Sequence, residues 1–217
     1  MSAILFGSIS TIADTSELQR EAFNRAFVDH GLGWTWDRDD YRGMLDVSGG
    51  RSRIAEYAKS QGQSVDAQAV HATKSKHFQE HLAGAATPRP GVVDTIRQAK
   101  AAGVKVGLVT TTAKENVDAL LGALGPDVRR DDFDVIVDVT QVEQPKPDGG
   151  AYALALQKLG EDAAGAVAIE DNVDGVRAAS AAGVNVVAFP NANTAGHEFP
   201  GAARVVDHLE FAELGAR

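Results

Sequence analysis

Ala3-Ile4-Leu5-Phe6-Gly7-Ser8-Ile9-Ser10-Thr11-Ile12-Ala13-Asp14-Thr15 opens the chain, and its reading decides the fold. Four apolar residues run into a Gly/Ser cluster, the pattern of a short buried strand entering a tight loop. Ser16 follows, with Gln19 three residues on. That spacing predicts a capping box, and Leu18, Ala22, Phe23 and Phe27 then recur at helical spacing. The chain starts as strand, loop, helix.

From Ser16 to about Ala83 the pattern stays helical, with expected helices over Glu17–His30, Arg51–Gln61 and Val65–Leu82 and a short segment near Tyr41–Leu45. Trp34 and Trp36 read as a packing unit of this block. After Arg89-Pro90-Gly91 the texture changes. Apolar runs at Val104–Val109, Phe133–Val137, Ala166–Ile169 and Val184–Phe189 alternate with helical stretches at Val92–Ala102, up to Leu124, Tyr152–Leu159 and Val173–Ala182. Thr112 with Glu115 predicts a second capping box. Strands alternating with helices imply an α/β fold, a parallel sheet covered on both faces. The expected domains are 1–15 with 84–217 as the α/β core, and 16–83 as an inserted all-helical cap.

Composition narrows the function classes. Net charge is −9, which argues against nucleic acid or an anionic membrane as the main partner. The chain has no cysteine, so disulfides, thiolate chemistry and Cys-ligated zinc are excluded. Met1-Ser2-Ala3 lacks the basic start of a secretion signal, and no apolar run approaches membrane-spanning length. A cytoplasmic protein is expected.

In parallel sheets, ligands sit outside the carboxyl ends of the strands. Four loops converge there: Gly7–Thr11, Thr110–Thr112, the loop of Lys146-Pro147-Asp148 with Tyr152 beyond, and Glu170-Asp171-Asn172 with Gly175. In this order they resemble the signatures of the haloacid dehalogenase-type phosphatases. The resemblance implies a Rossmann-like core with a helical cap. It implies that Thr110, with Thr111 beside it, hydrogen-bonds a phosphoryl group, that Lys146 neutralises its charge, and that Glu170 and Asp171 bind Mg²⁺. Val47-Ser48-Gly49-Gly50-Arg51-Ser52-Arg53-Ile54 is similar to a cap loop of the sugar-phosphate phosphatases near β-phosphoglucomutase. There Arg53, with Arg51 nearby, would grip a distal phosphate, a task suited to a planar guanidinium. Both arginines also read as solvated helix-start residues. Gln19 stands on the cap side where the family usually has a histidine.

The family loop reads Asp-x-Asp-Gly-Thr, and here the chain departs from it. Gly7 stands at the nucleophile position and Ile9 at the acid/base position, so neither catalytic acid is intact. Each of those acids contributes several orders of magnitude to such a reaction. Mg²⁺ affinity is expected to be weakened, and Lys146 and Asp171 are expected to pair with each other. Three readings follow. The first is a pseudo-phosphatase whose partner is a small phosphorylated sugar or inorganic phosphate. The second is an active Mg²⁺-dependent hydrolase using non-standard residues, and the third is a structural or interaction protein with an unidentified protein partner.

Overall fold

The structure, a computed structural model, describes residues 1–46, 49–82 and 84–215. Val47 and Ser48 of the cap loop, and Ala83 at the expected domain boundary, lie outside the described residues. Six parallel strands form one sheet: β1 (Ala3–Phe6), β2 (Lys105–Val109), β3 (Val135–Val137), β4 (Ala166–Glu170), β5 (Asn185–Ala188) and β6 (Arg204–Val205). Their order across the sheet is β3-β2-β1-β4-β5-β6. Side chains alternate between faces along each strand. Ile4, Phe6, Val167 and Ile169 therefore join one apolar core, and Ala3, Leu5, Ala166 and Ala168 the other. Helices cover both faces, which is why these strands read as unbroken apolar runs.

Between β1 and β2 lie α1 (Ile9–Ile12), α2 (Ser16–Asp29), α3 (Arg38–Gly43), α4 (Gly50–Ser60), α5 (Ala67–Leu82) and α6 (Val92–Ala101). The insertion leaves and returns at one point, because Ala13 bridges Pro88 and Arg89 N donates to Ile12 O at 2.8 Å. Helices α2 to α5 have an apolar centre of their own, built on Phe23, Phe27, Trp34, Trp36, Tyr41 and Ile54. Trp36 is fully buried, 4.9 Å from the Phe23 ring and 4.6 Å from that of Phe27. The remaining helices are α7 (Lys114–Leu124), α8 (Gly150–Leu159), α9 (Val173–Ala181) and α10 (Phe211–Leu214).

Three local expectations fail. Segment 7–11 is not all loop: Ser8 caps the one-turn helix α1 by accepting from Ser10 N and Thr11 N. Ser16 does not cap α2; the N-cap is Thr15, and the Ser16 hydroxyl donates instead to Asp14 at 2.6 Å. Thr112 does not cap α7, which begins at Lys114 after Ala113. Thr112 N instead donates to Thr110 Oγ1 at 3.1 Å. A Ser or Thr hydroxyl bonds whichever backbone group or acid the fold brings near, and for Ser16 that is Asp14.

Trp36 is the sharpest test of the helical layer. Trp36→Ala is expected to lower unfolding free energy by about 3–5 kcal/mol, read from the urea midpoint at unchanged slope.

Candidate active-site cleft

Because the strands are parallel, Gly7, Thr110 and Asp171 follow the same edge of β1, β2 and β4. The inserted helices stand over that edge, and a cavity of about 530 Å³ lies between. Thr110, Thr111, Lys146 and Asp171 line its floor, and Gln19, Arg51, Arg53 and Lys74 line its helical wall. The expected phosphate-binding and cap residues thus come together in space. His77 and His81, whose i, i+4 spacing on α5 could serve a metal, do not join them, since His77 Nε2 pairs with Asp29 at 2.7 Å and His81 Nδ1 bonds His77 O at 2.7 Å.

The floor is organised around Lys146. Its Nζ donates to Glu170 Oε1 at 2.6 Å, to Val109 O at 2.7 Å and to Gly7 O. An ammonium has three hydrogens, and these are three acceptors. Tyr152 Oη donates to the same Glu170 oxygen at 2.6 Å. Lys146 therefore pairs with Glu170, not with Asp171. The reason is space at position 7: a Cβ there would lie under 3.0 Å from Glu170 Cδ and from Tyr152 Oη. Glycine leaves room that the Glu170 carboxylate has taken. Glu170 is fully buried; burial pushes its carboxyl above the usual range, and Lys146 opposes that rise. The second Glu170 oxygen, Oε2, has no hydrogen-bond partner.

Asp171 is held differently. Its Oδ1 accepts from Ser8 Oγ at 2.6 Å, Thr11 Oγ1 at 3.2 Å and Asn172 Nδ2 at 3.1 Å. Its Oδ2 accepts from Asn191 Nδ2 at 2.7 Å. These two acids do not make the expected Mg²⁺ seat. Glu170 faces Lys146 and Tyr152 away from the cavity, Asp171 is surrounded by hydrogen-bond donors, and Gly7 offers no side-chain oxygen. A hard dication wants several oxygens converging on one point. Among the described residues, no group of three or more His, Cys, Asp or Glu is placed to hold a metal.

On the helical wall, Gly49 takes a φ of +107° and Gly50 lets the chain pass the His71 ring, where a Cβ would lie under 3.0 Å away. That is the physical content of the Gly-Gly pair. Arg53 Nε donates to Met44 O at 3.0 Å, and its guanidinium lies 5.6 Å from the Tyr41 ring centroid. Gln19 bridges wall and floor: Lys74 Nζ donates to its Oε1 at 3.0 Å, and its Nε2 donates to Ser10 Oγ at 3.4 Å. Lys74 is only 3% exposed and sits 4.9 Å from the ring centroids of both Phe23 and Phe78. Burial, reinforced by Arg53, lowers its pKa to about 7. Burial, with Lys74, Arg51 and Arg53 nearby, lowers His71 to about 4.

Sequence reasoning missed Ser8, Lys74, Asn191 and Arg89. Lys74 carried a signal: Val70, Lys74, Phe78 and Leu82 form one buried stripe of α5, and a cation inside an apolar stripe calls for a reason. Arg89 donates to Phe189 O at 2.7 Å and to Ser10 O at 3.3 Å, tying α1 to the segment after β5.

Comparison with known proteins bears on this geometry. The haloacid dehalogenase-like hydrolase family matches residues 1–183. Protein CbbY of Cereibacter sphaeroides is 40% identical over 217 residues, spanning 98% of this chain and 94% of its own. A crystal structure of a CbbY mutant from Rhodobacter sphaeroides in complex with xylulose-(1,5)bisphosphate is 39% identical with a TM-score of 0.90. The match covers 99% of this chain and 96% of that one. A β-phosphoglucomutase from Clostridium difficile, 21% identical, shares the fold at a TM-score of 0.78 over 98% of this chain and 94% of its own.

Two outcomes test the site's construction. Gly7→Ala is expected to lose about 1–3 kcal/mol of stability through overpacking against Glu170. Glu170→Ala alone leaves Lys146 buried without its acid and is expected to lose about 3–5 kcal/mol. In the double variant the clash at position 7 is gone, so the combined loss should fall short of the sum by more than about 0.5 kcal/mol. Strict additivity would show that Glu170 does not fill that space. The second outcome concerns Lys74, whose pKa is about 7 folded against 10.5 in the free side chain. Between those values the unfolded chain binds the extra proton, so stability rises with pH, and below pH 7 that gain is absent. Urea titrations from pH 7 to pH 9 should show wild type gaining up to about 1.4 kcal/mol per pH unit relative to Lys74→Met.

Proposed function

The chain belongs to the haloacid dehalogenase-like hydrolases, and from that membership we propose that it binds a small phosphorylated sugar, or inorganic phosphate, without running the family's phosphatase cycle. The observation that carries this reading is at position 7. The residue that would attack phosphorus is glycine, and the space its side chain would need is filled by Glu170. Ile9 lines the same cavity and can neither protonate a leaving group nor activate water. A Glu170 carboxylate tied to Lys146 and Tyr152 is no substitute, because it faces away from the cleft.

Binding is supported by what the cavity retains. Arg51, Arg53 and Lys74 give its helical wall positive charge, and Asp171 is the one carboxylate among its described lining residues. A cavity of this size suits a small ligand. The relative solved with xylulose bisphosphate shares the fold almost throughout, so the same class of ligand is the first to try.

Phosphate release from a panel of sugar mono- and bisphosphates in Mg²⁺ is expected to stay at the level of a no-protein control. In parallel, a sugar phosphate at about 100 times its Kd should stabilise the protein by about 2.7 kcal/mol, seen as a rise in Tm. Arg53→Ala should reduce that rise. Clear metal-dependent turnover by wild type would overturn the reading in favour of an active hydrolase with non-standard residues. No stabilisation by any phosphorylated ligand would leave the structural or interaction role.

A further inference from the structure

The two ends of the cavity differ in a way that bears on the ligand's orientation and on its need for metal. At the helical end stand Arg51, Arg53 and Lys74. At the sheet end the cation is Lys146, and its three hydrogens point to Gly7 O, Val109 O and Glu170 Oε1. A phosphate oxygen arriving there could gain an N–H from Lys146 only by breaking one of those bonds, two of which hold strand ends together. Next to it Asp171 presents a carboxylate to the cavity. Two unit charges of like sign about 4 Å apart repel by about 4 kcal/mol at the effective dielectric of a protein surface. Arg89 feels the Asp171 charge, but its N–H groups are spent on Ser10 O, Phe189 O and Pro190 O, so they are not available to a phosphate. Asp171 Oδ1 already takes three donors, from Ser8, Thr11 and Asn172.

The sheet end is well suited to something else. A carboxylate offers about four acceptor positions, and Oδ2 accepts from Asn191 Nδ2 at 2.7 Å. A ligand hydroxyl can give its hydrogen to Oδ2, and the Thr110 and Thr111 hydroxyls line the same floor. Neutral hydroxyl groups carry no charge for Asp171 to repel.

We infer that the cavity takes a singly phosphorylated sugar in one orientation, phosphate on the helical wall and hydroxyl end on Asp171, with no divalent cation. This deepens the sugar-phosphate reading and rests on it. The place that serves anions through Lys146 and a metal in the resemblance has become, in this chain, a hydroxyl seat. The acid of that seat is held by Ser8, Thr11 and Asn191 in place of a cation. The low pKa of Lys74 fits the same picture, since an arriving phosphate favours the protonated amine.

Isothermal titration of the full chain with xylulose 5-phosphate, xylulose 1,5-bisphosphate and xylulose, each in Mg²⁺ and again in EDTA, tests this directly. The monophosphate should bind at least as tightly as the bisphosphate, and both constants should change less than about twofold on chelation, a difference of roughly 0.4 kcal/mol. Xylulose itself should bind far more weakly than the monophosphate. A bisphosphate binding about tenfold tighter than the monophosphate, with that advantage lost in EDTA, would overturn the inference while leaving sugar-phosphate binding intact. If neither phosphorylated sugar binds under either condition, the sugar-phosphate reading fails and the inference fails with it. Lys74→Met should weaken the monophosphate and leave xylulose unchanged; equal weakening of both would place the phosphate elsewhere.

Discussion

Lys146 Nζ sits where β1, β2 and the last residue of β4 meet, donating to Gly7 O, Val109 O and Glu170 Oε1. Both partners of its ion pair are almost wholly buried, and a buried charge is tolerable only when matched and hydrogen-bonded. That requirement constrains everything around it. Tyr152 must reach the same oxygen from α8, and Gly175 of α9 must also be small, because a Cβ there would lie under 3.0 Å from the Glu170 carboxylate. Two glycines and a tyrosine therefore form the mould for one buried acid. The loops that face the ligand are hung from this knot: Thr110 follows Val109, and Asp171 follows Glu170.

The acid next in sequence meets an opposite environment. Asp171 faces the cavity, and its partners are neutral: two hydroxyls and two amides. Adjacent carboxylates, Glu170 and Asp171, alternate across the pleat at the end of β4, so one points into the sheet layer and the other lines the cavity. The same alternation that sorts Val167 and Ala168 between two cores thus sorts the two acids into a structural role and a ligand-facing one. Treating them as one acidic loop overlooks this period.

Much of this was legible in the chain. β1, β2 and β4 are buried on both faces, and such strands announce themselves as apolar runs, each with a glycine close to one end: Gly7, Gly103 and Gly165. The four site loops follow from their positions after those strands. β6 was not legible: Arg204–Val205 is two residues long and pairs only at the sheet edge, so neither length nor alternation marks it. The capping boxes misled because the Ser16 hydroxyl bonds Asp14 two residues back, and because α7 begins at Lys114, which puts Ala113 and not Thr112 at the cap. Lys74 was visible as an intruder in an apolar stripe, but its neighbour Gln19 is 55 positions away in sequence and comes near only when α2 packs on α5. The turn of Glu170 toward Lys146 was the least legible feature, since it depends on a side chain that is absent from position 7.

That last dependence also says what kind of change position 7 represents. Removing an acid from a packed site leaves a void, and an unfilled void is destabilising in proportion to its volume. Here the volume is occupied by a carboxylate that already has two hydrogen-bonded partners, and the basic group an acid at position 7 would have neutralised is neutralised from position 170 instead. Charge and space are therefore both rebalanced without residue 7. Restoring an aspartate there would bring a second acid to a lysine with no hydrogen left to give, inside a space with no room for its Cβ. Glycine at position 7 is thus part of the packing of the present structure, coupled to Glu170, Tyr152 and Lys146. A single substitution at position 7 cannot recover the missing chemistry until that buried group is rearranged as a whole.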